Sequence, residues 1–180
     1  KTSLSRILGK LIEYFYKHPS IKVVLIVTNN PRANVIELAK QNEIPFYLTK
    51  KEEFFSGHSI LSVLQHHQID VIVLAGFLWK IPIELVQAYS KKIINIHPAL
   101  LPKFGGKGMY GINVHEAVLK AGEKESGITI HFVNEELDKG DIIFQAKCDI
   151  EKNETSDSLS QKVRRLEHIH YPKVIEKCAL

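Results

Sequence analysis

Cysteine is scarce in this chain. Of 180 residues only Cys148 and Cys178 are cysteine. They lie far apart and match no metal-ligand or redox spacing, which argues against a zinc module and a disulfide scaffold. The reading is two reduced thiols in a cytoplasmic protein. Long apolar runs are also lacking, and so is a signal-peptide pattern, so no segment is read as a membrane span. Charge of one sign is lacking too. Lys and Arg number 24 against 20 Asp and Glu, a net charge of +4. The basic residues come as pairs, Lys50-Lys51 and Lys91-Lys92, with no long tract, which argues against a nucleic-acid partner. A mild positive excess suits small anionic substrates. The glycine-rich stretch Lys103–Gly111 (KFGGKGMYG) lacks the Lys-Ser/Thr ending of a Walker loop. There is no repeat, low-complexity tract or linker, so residues 1–180 read as one domain. The chain opens on Lys1 and its only methionine is Met109. The expectation is therefore that residues precede those given.

What is present is an ordinary globular composition, 44% hydrophobic, enough for one sizeable core. Leu4, Ile7, Leu8, Leu11, Ile12 and Phe15 form an apolar stripe that predicts a helix from Ser3 to Lys17. Ile21–Val27 (IKVVLIV) is a β-branched run of the kind covered on both faces. A helix follows from Pro31 to about Gln41. Ile44–Leu48 reads as a short strand, near an edge because of Pro45. Lys51–His58 reads as a loop or broken helix, and Ser59–His67 as helix. Asp70–Leu74 (DVIVL) is a second buried strand, Ile83–Tyr89 a short helix, and Ile93–His97 a third strand. Alternation of this kind predicts an α/β fold with a doubly wound, mostly parallel sheet, whose ligands sit beyond the carboxyl ends of the strands. Later, Val114–Ala121 reads as helix. Gly127–Val133 and Ile142–Asp149 read as strands of an antiparallel C-terminal extension. A last helix, about Ser158 to Lys177, is interrupted near Pro172.

The chemistry concentrates in Ile93-Ile94-Asn95-Ile96-His97-Pro98. Alternate strand residues face one way, so Asn95 and His97 project together. Pro98 biases His97 toward extended backbone. An imidazole can take or give a proton near neutral pH, and an amide N–H can stabilise an oxyanion without titrating. A carboxylate aimed at His97 would orient it and raise its pKa. Glu135, Glu136, Asp138 and Asp141 are all candidates by position. No serine or cysteine stands in a nucleophile elbow, and no metal-binding cluster is apparent. His66-His67 and the pair His168 and His170 share no helix face, so they read as surface or core residues.

The run Asn95-Ile96-His97-Pro98-Ala99-Leu100-Leu101-Pro102 resembles the signature of folate-dependent formyltransferases, most of all the purine-pathway members. Three further stretches carry the same resemblance: Asp70–Phe77 (DVIVLAGF), Gly127–Val133 with Leu137–Ile143, and Leu166-Glu167-His168 with Tyr171-Pro172. The likeness covers most of the chain from about Ile21. It implies transfer of a formyl group from 10-formyltetrahydrofolate, a co-substrate, to the primary amine of glycinamide ribonucleotide, with no metal. It implies a catalytic set of His97, Asn95 and Asp138. The folate would meet Leu78, Trp79, Lys80 and Ile81, then Asn95, then Asn134, Glu135, Glu136, Leu137 and Asp138. The ribonucleotide would meet Ile96, Pro98 and Glu167. Partners would be small molecules only, with neither nucleic acid nor membrane, and the protein a monomer or homodimer.

Two departures stand out. The family opens with a strand and a glycine-rich phosphate loop, whereas Lys1–Arg6 (KTSLSR) stands where that loop should end, without a glycine. Trp79-Lys80 occupies a place where bacterial members carry an arginine. The competing readings are a 10-formyltetrahydrofolate hydrolase, in which water replaces the amine, and a non-catalytic folate- or ribonucleotide-binding relative. A methionyl-tRNA formyltransferase would add a C-terminal tRNA-binding domain.

Overall fold

The computed structural model describes residues 3–180, with side chains from Arg6 onward. Lys1 and Thr2, and the side chains of Ser3, Leu4 and Ser5, lie outside the described residues. The expected end of a phosphate loop therefore falls partly outside them too.

Helix α1 (Ser3–Phe15) turns Ile7, Leu11, Ile12 and Phe15 of the predicted stripe into the interior. Of the predicted strand from Ile21, only the end enters a ladder: β1 covers Ile26–Thr28. The partner sets this length. β1 pairs in parallel with β2 (Phe46–Leu48) alone, from Ile26↔Phe46 to Thr28↔Leu48. Between them lies α2 (Asn34–Gln41). The polar stretch after β2 is a broken helix: α3 (Lys51–Phe55) and α4 (His58–His66) meet at Gly57, whose φ is +72°. A side chain there would collide with Glu84 at 2.7 Å. β3 (Ile72–Leu74), α5 (Ile83–Ala88) and β4 (Ile93–His97) follow. Then come α6 (Ile112–Lys120), β5 (Glu125–Phe132), β6 (Ile142–Asp149) and α7 (Ser156–Ala179).

The expected sheet is present in two pieces. One is β1–β2. The other is four-stranded, in the order β3-β4-β5-β6. β3 and β4 are parallel, while β5 and β6 add the antiparallel extension that the sequence indicates. Helices cover both faces. On one side α1, α6 and α7 bury Ile94, Ile96, Val114, Val118, Ile128, Ile130, Leu159 and Val163. On the other, Phe54, Ile60, Leu64, Leu85 and Ile93 form a second cluster from α3, α4, α5 and β4. Adjacent residues of β4, Ile93 and Ile94, thus face opposite layers, which is why this strand reads as continuously apolar.

α7 corrects one expectation. It is a single helix of 24 residues that carries Pro172 inside it. Pro172 has no N–H for the preceding turn. Tyr171, Pro172, Val174 and Ile175 are nevertheless all buried, and their packing holds the helix together across the missing bond. Among the described residues no helix is long and apolar enough to cross a membrane.

Candidate active site

β3 pairs with β4 only as far as Leu74↔Asn95. Ile96 and His97 therefore run past the end of β3, at the carboxyl edge of the parallel pair. The other side of β4 stays fully paired, with Asn95↔His131 and His97↔Thr129 facing across the antiparallel ladder. Directly opposite residues of such a ladder project to the same face. The Asn95 amide nitrogen accordingly lies 3.2 Å from His131 Nε2.

Thr129 anchors the turn after His97. Its hydroxyl donates to the Ala99 carbonyl at 2.7 Å and accepts from the Leu101 N–H at 2.9 Å. Gln145 Nε2 donates to that hydroxyl and to the Leu101 carbonyl. Thr129 is wholly buried, so this network fixes the backbone leaving the strand without help from solvent.

Of the acids between residues 134 and 141, Asp138 is the one that faces the histidine. Its Oδ2 lies 3.6 Å from His97 Nδ1 and its Oδ1 3.6 Å from His131 Nε2. Glu136 instead pairs with Lys139, and Asp141 with Lys91, both at the surface; Glu135 is exposed. Asp138 sits at φ +56°, a left-handed conformation that aspartate tolerates better than most residues. The Gly106 N–H donates to Oδ2 at 2.9 Å. Burial pushes the Asp138 carboxyl up. The neighbouring His131, the Gly106 N–H and the His97 ring together outweigh it and hold the group below the ordinary aspartate value.

His97 is 4% exposed. Its Nε2–H donates to the Phe104 carbonyl at 2.7 Å, which leaves Nδ1 toward Asp138. Burial lowers its pKa; Asp138 and the Phe104 carbonyl oppose this without overcoming it, and His131 adds to the lowering. The ring rests neutral beside a carboxylate that would hold a second proton on Nδ1. The glycine-rich stretch after Pro102 is therefore tied to the site at two points, Phe104 and Gly106.

The chain matches the formyl transferase model over residues 4–175. It belongs to the formyl transferase family. It is 48% identical over 158 residues to a chloroplastic phosphoribosylglycinamide formyltransferase of Arabidopsis thaliana, covering 85% of this chain and 54% of that protein. With the phosphoribosylglycinamide formyltransferase of Bacillus subtilis it shares 38% over 157 residues, 85% of this chain and 78% of the other. A crystal structure of phosphoribosylglycinamide formyltransferase from Anaplasma phagocytophilum superposes with a TM-score of 0.87 at 35% identity, covering 98% of this chain and 82% of that one. The chain spans about half the length of the plant relatives it matches.

The expected formyl transferase residues differ in where the fold places them. Asn95, His97 and Asp138 converge. Leu78 follows β3 and is exposed, as are Lys80 and the loop residues Asn134, Glu135, Glu136 and Leu137. Lys80 lies close enough to Glu136 to help lower its pKa, after Lys139. Trp79 leans on Phe54, Phe55 and Phe77. The side chains of Ile81 and Ile96 belong to the two cores, so any ligand there meets their backbone. Pro98 is partly exposed beside His97. Glu167 stands apart, on α7, where burial pushes its carboxyl up to about 7 against the pull of Arg164. One turn on, Tyr171 Oη lies 2.8 Å from the Leu74 carbonyl and 3.0 Å from that of Ile94. It ties α7 to the end of β3 and to the start of β4. Among the described residues no group of three or more His, Cys, Asp or Glu could hold a metal ion.

The residue that sequence reasoning missed is His131. The signal was available: in Gly127–Val133 the apolar Ile128 and Ile130 alternate with Thr129 and His131. That is the same pair of polar residues on one face of a buried strand that marks Asn95 and His97.

Proposed function

We propose that this chain transfers the formyl group of 10-formyltetrahydrofolate to the primary amine of glycinamide ribonucleotide. The observation that carries the reading is the convergence of Asn95, His97 and Asp138 at the open end of β4, in a chain whose relatives bear that activity in their names. In this mechanism the amine attacks the formyl carbon and forms a C–N bond, and the carbonyl becomes a tetrahedral oxyanion. The second N–H of the Asn95 amide and a protonated His97 stabilise that oxyanion. Asp138 supports the imidazolium. Collapse breaks the bond from carbon to the folate N10, which receives a proton as the attacking amine loses one. The exposed Leu78 and Leu137 offer apolar surface to the folate on either side, and Glu167 serves the ribose hydroxyls. The two free thiols fit a cytoplasmic setting.

The test is an assay with both substrates. The expected result is formylated ribonucleotide and free tetrahydrofolate, with turnover abolished by His97→Ala. Asp138→Asn lowers kcat by about 100-fold, because the imidazolium loses its partner. Formate release that does not depend on the amine would make the chain a hydrolase, and folate binding without turnover a binding protein.

A further inference from the structure

We infer that His131 is a positioning residue for the reaction, holding the Asn95 amide in its working orientation through a lone pair on Nε2. The inference rests on the proposed role of Asn95 toward the oxyanion. The donor and acceptor pattern fixes the tautomer. His131 Nδ1 lies 2.9 Å from the Phe132 carbonyl, and a carbonyl can only accept, so Nδ1 carries the proton. The neutral ring then presents a bare Nε2. Two groups face it. Asn95 Nδ2, a donor, is at 3.2 Å, and Asp138 Oδ1, an acceptor, is at 3.6 Å. The donor is matched at hydrogen-bond distance and the acceptor stands beyond it.

The consequence for Asn95 is directional. An amide has two faces, and nothing in a strand dictates which one carries the nitrogen. With one N–H bound to His131 Nε2, the second N–H of the same nitrogen points away from β5 and is free for a substrate oxygen. A flipped amide would set its carbonyl against the Nε2 lone pair and offer the oxyanion no donor. The site enforces the arrangement by burial: His131 is 2% exposed, so water does not replace the imidazole as acceptor.

The experiment compares His131→Leu and His131→Gln with the unaltered chain. Glutamine places an amide oxygen where Nε2 stood and can accept from Asn95, whereas leucine fills the space and cannot. His131→Leu is expected to lower kcat by about 100-fold while the KM for formyl folate changes less than about threefold, and His131→Gln to return kcat to within about tenfold of the unaltered chain. A glutamine variant no better than leucine, or a leucine variant with full kcat, overturns the inference. NMR of the Asn95 side-chain amide gives an answer independent of turnover. Its signals should move in the leucine variant and return in the glutamine variant. If leucine prevents folding, the glutamine variant decides alone: a displaced Asn95 amide signal there overturns the inference, and a retained one supports it. An unaltered chain that transfers no formyl group would defeat the proposed reaction, while the amide signals would still decide the role of His131.

Discussion

A single residue shows how the same fold can hold a charge against its own stability. Glu167 lies on α7 where burial pushes its carboxyl up to about 7, Arg164 compensating only in part. In the unfolded chain the group titrates near the ordinary glutamate value, so between about pH 4.5 and 7 the folded state holds the proton more tightly. Stability from this residue is therefore greatest at the acid end and declines as pH rises through that window. Glu167→Gln has no charge to bury. It is expected to match the unaltered chain near pH 4.5 and to exceed it by up to about 3 kcal/mol at pH 8, read from urea unfolding at the two pH values. Equal stability at both would mean that solvent or Arg164 satisfies the charge. At this scale the sequence was legible where side chains announce themselves by period: Asn95 and His97 share a face because strands alternate. It was not legible for the acid that serves His97, because loop backbone chooses among Glu135, Glu136, Asp138 and Asp141. The left-handed turn at Asp138 is a property of the folded loop. The resemblance named Asp138, the acid of this loop whose carboxylate lies 3.6 Å from His97 Nδ1.

Elements were predicted in their order and differ at their ends. Ile21–Val27 is apolar enough for a seven-residue strand, yet only Ile26–Thr28 meets a partner. Strand length is a joint property of two segments, and neither carries it alone. α7 passes through Pro172 because neighbours bury that turn, which local propensity does not include. The joint between β5 and β6 shows the reverse case, in which one small residue decides. A Cβ on Gly140 would lie 1.8 Å from the Phe132 carbonyl oxygen and 2.8 Å from its carbon. Both are backbone atoms of a strand paired on both sides, so the loop must yield. The neighbouring bond from Phe132 N–H to the Asp141 carbonyl goes with it, and Asp138, two residues away, leaves His97. Gly140→Ala is expected to cost about 3 kcal/mol and to lower formyl transfer about as far as Asp138→Asn does. Gly122→Ala is the matched control. It has φ +69° and nothing within 4 Å, so it bears backbone strain alone, about 1 kcal/mol, and leaves transfer unchanged. Chemical denaturation and the transfer assay read both variants.

At the scale of the whole molecule the question is whether the two cores act as one. They lie on opposite faces of the sheet and draw on different helices. β4 is their common wall, giving Ile93 to one and Ile94 to the other, each about 1% exposed. Tyr171 adds a second link, since its hydroxyl reaches from α7 in the first layer to carbonyls of β3 and β4. A wall shared at adjacent residues cannot lose one face and keep its geometry, so a defect in the first core should be felt fully in the second. The chain holds a natural reporter there. Its one tryptophan, Trp79, packs with Phe54, Phe55 and Phe77 in the second cluster, while Leu159 is wholly buried in the first. Leu159→Ala removes about 3 kcal/mol of burial and packing. With a urea slope of about 2 kcal/mol per molar, that moves the unfolding midpoint down by about 1.5 M. The expected result is the same shift in helical circular dichroism and in Trp79 fluorescence, although the substitution touches neither the tryptophan nor its helices. A fluorescence midpoint that stays put while the dichroism moves would show two units folding separately. The open end of β4, where Asn95 and His97 stand, would then belong to a seam between them.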